Sequence, residues 1–215
     1  MRFYLASTSP ARLATLRAAG IEPVVMPSEV DERAVEAARA EQLGRDLTAA
    51  ETVQLLADAK AEAVVASAGA EGIDGLVLGG DSVFELDGTI YGKPHTASEA
   101  RRRWRLQRGR TGVLHSGHRL IRLETGRPVA SAGAVARADV TFADDLDDAE
   151  VEAYIASGEP LKVAGAFTID GLGGPFITRI AGDPSTVIGL SLPTLRSLAG
   201  RLGVAWPTLW NRAQL

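Results

Sequence analysis

The chain has 215 residues, of which 46% are hydrophobic and 23% charged, and its formal net charge at pH 7 is −4. This composition is typical of a globular protein with a sizeable core, and the acidic balance argues against binding nucleic acid over a broad surface. Because cysteine is absent, disulfides, thiolate nucleophiles and cysteine-based zinc sites are excluded. The sequence has no basic, apolar leader and no apolar run of about 18 residues, so we expect a cytoplasmic protein without a membrane segment.

The hydrophobic patterns predict strands and helices that intermix along the chain. The predicted strands cover residues 1–6, 22–26, 76–86, 111–124, 128–142 and 175–182. After a first helix that begins at Pro10, the predicted helices cover residues 35–43, 48–68, 97–108, 146–157 and 191–203. Loops are predicted at 27–34, 67–75 and 158–174, and a tight turn at 87–88. Hairpins and crossovers together predict the α/β class with a mixed sheet.

The stretch LASTSPARLATL at residues 5–16 places three hydroxyls, a proline and an arginine between a buried strand and a helix. Ser9 fits the N-cap position and Pro10 the first helical position. The free N–H groups and the dipole of a helix N-terminus favour an anion, and Arg12 adds a permanent charge that suits phosphate. Seen alone, the stretch is equally consistent with a capped helix that carries a solvent arginine.

The stretch GGDSV places Asp81 directly after Gly79 and Gly80, where the apolar strand is expected to break and resume. We expect Asp81 at the carboxyl end of the sheet, where α/β proteins usually bind ligands, and the glycines allow another group to approach the backbone closely. Such a carboxylate can bind a metal or act as a general base on water. The alternative is an aspartate that only caps a turn.

Two lysines and a glutamate complete the set of candidates. Lys93 in GKPHT stands on a loop stiffened by proline and would bind phosphate as a point charge, while Lys60 lies in an alanine-rich helix. Each lysine taken alone is better explained as a solvated surface residue. Together with Glu32, Arg12 and Asp81, they suit a metal-bound polyphosphate attacked by water, with Mg²⁺ neutralising the phosphates.

Several other patterns carry less weight. The stretch ELDGT imitates an aspartyl-phosphatase motif but has Glu85 where the nucleophile would stand. His115 and His118 would point to opposite faces of a strand, which argues against a shared metal. The arginines at residues 101–110 surround Trp104, and in an acidic protein the solvated face of a helix explains them better than a nucleic-acid patch.

The motifs LASTSPAR, VDE, AxxKA, GGDSV, GKPHT and GEPLxxAGAFxIxGLGGPFI…VIGLSLP occur in this order between residues 5 and 193. The ordered set closely resembles the Maf-like proteins, which are nucleoside triphosphate pyrophosphatases. The resemblance implies a single domain over residues 1–215 with two lobes around a nucleotide cleft, a fold shared with the inosine triphosphate pyrophosphatases. It also implies cleavage of a nucleoside triphosphate to a monophosphate and pyrophosphate, with a divalent cofactor, Mg²⁺ or alternatively Mn²⁺.

By the same resemblance, Asp81 matches the proton acceptor of the family and, together with Glu32, its metal site. The positions that match its substrate-binding residues are Ser7, Ser9, Arg12, Lys60 and Lys93. We expect Arg12 and Lys93 to face the nucleotide and Arg102 and Arg103 to face water. A homodimer is left open.

Three positions depart from the family pattern where its branches differ in base preference. Ala11 replaces an arginine, Ser82 a threonine and Asp170 a glutamine, while Lys162 and Val163 stand where the family often has Asp-Lys. A carboxylate at position 170 prefers the donors of a guanine or a cationic methylated base. We therefore expect a broader enzyme than a thymidine/uridine specialist, acting on non-standard or modified nucleotides as well.

Two other functions remain open at this point. A nucleotide-binding cell-division regulator without turnover is a role also attached to this family, and the arginine cluster would suit a nucleic-acid binder. Pyrophosphate release with Mg²⁺ separates the enzyme from the regulator. Salt-dependent DNA binding would support the nucleic-acid binder.

Overall fold

The structure is a computed structural model that describes residues 1–68 and 73–212. Its strands form one seven-stranded mixed sheet in the order β2-β1-β3-β5-β6-β7, with β4 paired to β3. The strands are β1 (Phe3–Ala6), β2 (Val24–Val25), β3 (Gly75–Leu86), β4 (Thr89–Tyr91), β5 (Thr111–Glu124), β6 (Arg127–Phe142) and β7 (Ile177–Gly182). The pairs β1–β2 and β1–β3 are parallel, whereas β3–β4 and β6–β7 are antiparallel. The predicted α/β class with a mixed sheet is confirmed.

Seven α-helices lie within the described residues. They are α1 (Pro10–Ala18), α2 (Glu32–Leu43), α3 (Ala49–Ala68), α4 (Ala97–Gln107), α5 (Asp148–Ala156), α6 (Pro184–Ile188) and α7 (Leu192–Arg201). Short 3₁₀ turns occupy much of the loop predicted at residues 158–174, the glycine-rich loop, and the residues directly after it. They lie at Glu159–Lys162, Ala164–Ala166 and Gly174–Phe176. None of the helices in the described ranges is long and apolar enough to cross a membrane.

The chain divides into two compact units. The first comprises Met1–Asp81, Ser116–Ala136 and Gly189–Leu215, and the second comprises Ser82–His115 and Arg137–Ile188. Strand β3 therefore contributes residues to both units, with the boundary directly after Asp81.

The first unit has two apolar cores, one on each face of its sheet. Side chains alternate along a strand, so Phe3 and Leu5 of β1 pack with apolar residues of α1 and α7. Tyr4 and Ala6, on the opposite face, pack with apolar residues of α3. This arrangement buries β1 on both faces, as its continuous apolar sequence predicts.

The second unit is built around Trp104 of α4. Its ring makes edge-to-face contacts with Phe142, Tyr154 and Phe176, at centroid distances of 5.5–5.7 Å. The indole N–H donates a hydrogen bond of 2.9 Å to the carbonyl of Ala166. Buried Trp needs such a polar partner, and this bond ties α4 to the 3₁₀ turns that follow α5.

Two predictions of local structure are wrong, and one helix was not predicted. Strand β3 runs without a break through Gly79 and Gly80. Helix α2 begins at Glu32 instead of residue 35, because Asp31 caps it by accepting a hydrogen bond from the backbone N–H of Ala34. Helix α6 was not predicted. The surface loop predicted at residues 67–75 lies partly outside the described residues.

Candidate active site

The polar loop between β1 and α1 is organised around the hydroxyl of Ser7. Ser7 Oγ accepts hydrogen bonds from the backbone N–H of Ser9 at 3.2 Å and from Arg12 Nη1 at 3.1 Å. Ser9 caps α1 by accepting from the backbone N–H of Arg12, and Pro10 takes the first helical position, as predicted. Because its oxygen already accepts two hydrogen bonds, Ser7 has its own O–H left to donate.

Arg12 is buried, with only 8% of its surface exposed. Its Nε donates a hydrogen bond of 2.8 Å to the carbonyl of Gly189, which lies just before α7. Burial lowers the pKa of Arg12 from its usual value, and the carboxylates of Asp81 and Glu32 oppose that shift. The alternative of a solvent arginine on a capped helix is therefore wrong, and a fixed guanidinium lies near two carboxylates.

Lys60 joins those two carboxylates. Its Nζ lies 2.7 Å from Asp81 Oδ1 and 2.6 Å from Glu32 Oε1. Lys60 and Asp81 are buried, whereas Glu32 is exposed. The interpretation of Lys60 as an ordinary surface residue is wrong, because Lys60 lies in the buried stripe of α3 beside Ala57 and Ala61. The predicted base, the predicted metal ligand and one predicted phosphate ligand are thus in direct contact.

The two glycines that precede Asp81 explain how this cluster forms. A Cβ atom on Gly79 would lie only 2.1 Å from the carbonyl oxygen of Ala57, so glycine is needed for α3 to pack this closely on β3. A Cβ atom on Gly80 would lie 3.3 Å from Arg12 Nε. The prediction that these glycines let another group approach the backbone is confirmed, and the groups are helix α3 and Arg12.

Asp81 lies inside β3 and not at the end of a strand, which corrects the sequence-based placement. Strand β1 ends at Ala6, which pairs in parallel with Gly79. Asp81 is therefore two positions beyond the carboxyl end of β1, level with the polar loop that follows that strand. The turn-capping alternative is wrong, because β3 continues to Leu86 and pairs there with β4.

Glu36 belongs to this cluster and was missed by the sequence analysis. It lies one turn after Glu32 on α2 and is partly buried. Burial raises the pKa of Glu36, and the negative charges of Asp81 and Glu32 raise it further. The available signal was the spacing of two glutamates at i and i+4 directly after the capping Asp31, because residues so spaced share a helix face.

Lys93 lies in the second unit, on the loop between β4 and α4, and is exposed. The backbone around it is held in place. The carbonyl of Gly92 accepts a hydrogen bond from the N–H of Gly165 at 3.2 Å, and the N–H of His95 donates to the carbonyl of Leu161 at 3.2 Å. These two hydrogen bonds hold the backbone on both sides of Lys93, while its side chain is exposed to solvent.

The arginines of α4 and the turn after it are largely paired with carboxylates. The ion pairs are Arg101–Glu152, Arg102–Glu99, Arg103–Glu99, Arg108–Asp148 and Arg110–Asp87. Such pairing reduces the positive charge that is available to the phosphates of a nucleic acid. It favours the interpretation of these arginines as the solvated face of a helix over that of a nucleic-acid patch. The expectation that Arg103 faces water is wrong, because its side chain is only 11% exposed and lies over the ring of Tyr91.

The three candidate specificity residues lie on different elements. Ala11 is in the first turn of α1, Ser82 follows Asp81 in β3, and both are partly buried. Asp170 is exposed, and its carboxylate accepts a hydrogen bond from the hydroxyl of Thr168.

Glu159 organises the loop after Asp170 and was also missed. It accepts hydrogen bonds from the hydroxyl of Tyr154 at 2.9 Å and from the backbone N–H groups of Leu172 and Gly173 at 3.0 and 3.1 Å. Burial, and then the hydrogen bond to Glu159, raise the pKa of Tyr154. Because these contacts are made across the glycine-rich loop, only the structure identifies the role of Glu159.

The two histidines of β5 have separate partners. His118 Nε2 accepts a hydrogen bond of 2.9 Å from the backbone N–H of Ser191, at the cap of α7. His115 Nε2 lies 2.9 Å from Glu85 Oε2, and burial lowers the pKa of His115.

The sequence model of the family described as Maf-like protein matches residues 2–202. The chain belongs to the Maf-like protein family. A Leifsonia xyli subsp. xyli protein named nucleoside triphosphate pyrophosphatase is 64% identical over 99% of this chain and 98% of its own length. A Salinispora tropica protein of the same name is 52% identical over 99% of this chain and 88% of its own length. The solved structure of the Staphylococcus aureus Ham1 protein covers 67% of this chain and 73% of its own, at a TM-score of 0.40 and 12% identity, too low to carry an argument.

In this Maf-like protein, Asp81 and Glu32 are the residues that fit a divalent metal. One oxygen of each converges on Lys60 Nζ, so both carboxylates reach the same small region. Within the described ranges, no group of three or more His, Asp or Glu side chains is arranged to hold a metal by itself. Because Mg²⁺ is commonly held by one or two carboxylates plus substrate phosphates, this donor set suits an ion that binds together with a polyphosphate.

Proposed function

We propose that this chain hydrolyses nucleoside triphosphates between the α and β phosphates, giving a nucleoside monophosphate and pyrophosphate. The chain is a hydrolase of acid anhydrides, since relatives named nucleoside triphosphate pyrophosphatase are 64%, 52% and 52% identical to it over 99%, 99% and 96% of its length. The position of cleavage, the use of a metal and the range of bases are proposals.

The observation that supports the proposal best is the ion cluster of the first unit. Arg12, Lys60 and Asp81 are all buried there, beside a loop of hydroxyl side chains. Burying charges costs free energy that their mutual attraction only partly restores, so such a cluster contributes little as a purely structural device. Its place next to the N-terminus of α1 favours a role in binding and hydrolysing a charged ligand.

The chain offers several donors to the phosphates of an entering nucleotide. Ser7 and Ser9 supply hydroxyls, α1 supplies its positive N-terminal end, and Arg12 supplies a guanidinium that its bonds to Ser7 and Gly189 already orient. Lys93 supplies a further ammonium on a loop whose backbone is held. Donors fixed in advance lose little conformational entropy when the nucleotide binds.

Asp81 is the proposed general base. It takes a proton from the water that attacks the α phosphorus, a bond forms between that water oxygen and the phosphorus, and pyrophosphate leaves with the electron pair of the broken bond. Lys60, 2.7 Å from Asp81 Oδ1, holds the carboxylate in one orientation. When bound by Asp81 and Glu32, Mg²⁺, or alternatively Mn²⁺, would neutralise the charge of the phosphates.

Base preference is proposed to be broad and to include modified nucleotides. Asp170 presents an exposed carboxylate, which accepts hydrogen bonds but cannot donate one to the carbonyls of thymine or uracil while ionised. Ala11 and Ser82 are small residues at the other two positions where branches of the family differ. Asp170 is therefore expected to weaken the recognition of thymine and uracil, so we do not expect an enzyme specialised for pyrimidine nucleotides.

A panel of standard and modified nucleoside triphosphates, incubated with the protein and Mg²⁺, tests the proposal. Chromatography of the products should show nucleoside monophosphate and pyrophosphate in equal amounts. Release of nucleoside diphosphate and inorganic phosphate would place the cleavage elsewhere and overturn the proposal. Nucleotide binding without any product would favour the regulator without turnover instead.

A further inference from the structure

The loop that carries Lys93 is held by more than its own backbone. The carbonyl of Gly92, directly before Lys93, accepts a hydrogen bond from Arg103 Nη1 as well as from the N–H of Gly165. Arg103 belongs to the next helix, α4, eleven residues further along the chain. A guanidinium bond to a carbonyl is charge-assisted and stronger than a bond between neutral groups, so Arg103 is the strongest polar contact to Gly92.

Arg103 is itself fixed by its surroundings. Its Nε donates a hydrogen bond of 2.8 Å to Glu99 Oε1, and its guanidinium carbon lies 5.3 Å from the centroid of the Tyr91 ring. Tyr91 is the last residue of β4 and is followed by Gly92. The side chain of Arg103 therefore contacts the end of β4 at the ring of Tyr91 and the beginning of the loop at the carbonyl of Gly92.

The neighbouring Arg102 provides an internal comparison. Its Nη2 lies 2.7 Å from Glu99 Oε1, and its guanidinium carbon lies 6.0 Å from the centroid of the Tyr91 ring. Its side chain is 55% exposed, against 11% for Arg103, and it donates two hydrogen bonds to Glu99. Of the two arginines, Arg103 is the one that donates to the carbonyl of Gly92. The two arginines thus share charge, helix and acidic partner, and they differ in the contact to the loop.

We propose that Arg103 is a positioning residue that holds the Lys93 loop in the conformation that receives the triphosphate. The inference rests on the proposed function, because it assigns Lys93 a substrate to bind. Without the bond from Arg103, the backbone at residues 92–93 gains conformational freedom, and that freedom must be lost again each time a nucleotide binds. Lys93 still carries its charge in such a variant, so binding weakens while the chemical step is unchanged.

Arg103→Met tests the proposal, because methionine keeps an unbranched stem over Tyr91 and loses both hydrogen bonds. Arg102→Met is the matched control, since it also removes one charge and one partner of Glu99. Arg103→Lys keeps the charge, but lysine lacks the planar guanidinium with which arginine binds the carboxylate of Glu99 and the carbonyl of Gly92 at the same time. All three are assayed for pyrophosphate release alongside Lys93→Ala and the double variant Lys93→Ala/Arg103→Met.

We expect Arg103→Met to raise KM by about 5- to 30-fold, the factor that corresponds to re-ordering roughly one backbone residue, with kcat within about twofold of the wild type. Arg103→Lys should fall between the wild type and Arg103→Met, and Arg102→Met should change KM by less than about twofold. In the Lys93→Ala background the effect of Arg103→Met should disappear, because the two residues act through one contact. Equal KM values for Arg102→Met and Arg103→Met, or an undiminished effect in the Lys93→Ala background, would overturn the proposal.

Hydrogen exchange separates a failure of this inference from a failure of the proposed function. In the protein without nucleotide, the amides of His95 and Gly165 donate the hydrogen bonds that close the loop. Their exchange should be faster in Arg103→Met than in the wild type and in Arg102→Met, whatever reaction the protein catalyses. Unchanged exchange at both amides would contradict the role of Arg103 even if the wild type releases pyrophosphate.

Discussion

Replacing Lys60 by methionine perturbs the ion cluster at its centre. Methionine keeps the unbranched stem but removes the ammonium that lies 2.7 Å from Asp81 and 2.6 Å from Glu32. Removing one partner of a buried ion pair costs roughly 3–5 kcal/mol, because the other charge stays buried without compensation. Glu32 is exposed and can turn towards water, and the guanidinium of Arg12 still lies near Asp81, so the lower end of that range applies, at about 3 kcal/mol.

The size of the effect follows from the length of the chain. For a protein of 150–250 residues, each kcal/mol moves Tm by about 2–4 °C, so Tm should fall by roughly 6–12 °C in Lys60→Met. Asp81→Asn leaves Lys60 paired with Glu32 and should cost less, about 1–2 kcal/mol. In the double variant no uncompensated carboxylate remains at position 81, so its loss should fall short of the sum of the single losses by roughly 1–3 kcal/mol.

Thermal unfolding followed by circular dichroism at pH 7 measures these shifts. Lys162→Met is the matched control, because Lys162 is exposed and its substitution should move Tm by less than about 2 °C. A shift in Lys60→Met no larger than that of the control would refute the argument that Lys60 compensates a buried Asp81. Strictly additive losses in the double variant would refute it too.

Two further predictions concern the substrate. Arg12→Ala and Lys93→Ala should each weaken kcat/KM by roughly 10- to 100-fold, the range of a lost charge-assisted hydrogen bond, whereas Arg102→Ala should change it by less than about twofold. Equal losses in all three would indicate a diffuse electrostatic effect instead. Asp170→Gln should shift kcat/KM towards UTP and dTTP relative to GTP and 7-methyl-GTP, because an amide donates to the pyrimidine carbonyls as a carboxylate does not. A wild type already selective for dTTP, or an unchanged ratio, would show that position 170 does not read the base.

Local signals predicted the first junction of the chain well. The cap at Ser9 and the proline at the first helical position depend on neighbouring residues alone, and the structure confirms both. The start of α2 depends on the same kind of signal, since Asp31 caps it. The polar stretch at residues 27–34 also fits a loop, and for this reason the sequence pattern predicts the start of α2 three residues too late.

Burial of charged side chains could not be predicted in the same way, since it depends on which elements pack together. Lys60 alone fits a solvated helix, and its burial follows from the close approach of α3 to β3 at Gly79. The same glycine pair predicted a break in the strand, whereas packing keeps the strand continuous. Arg103 was expected in water because its helix is rich in arginine, and only the fold shows that Tyr91 and Gly92 lie under it.

The most direct test of the proposed function compares the wild type with Asp81→Asn in the pyrophosphate assay with Mg²⁺, with nucleotide binding measured separately. Asparagine keeps the shape of the side chain but removes the base, and loss of a general base typically lowers the rate by ~10² to 10⁴-fold. We expect the wild type to release pyrophosphate and nucleoside monophosphate, and Asp81→Asn to bind nucleotide but lose turnover by that factor. A variant that keeps more than about half of the wild-type rate would show that Asp81 is structural, and the mechanism would be wrong.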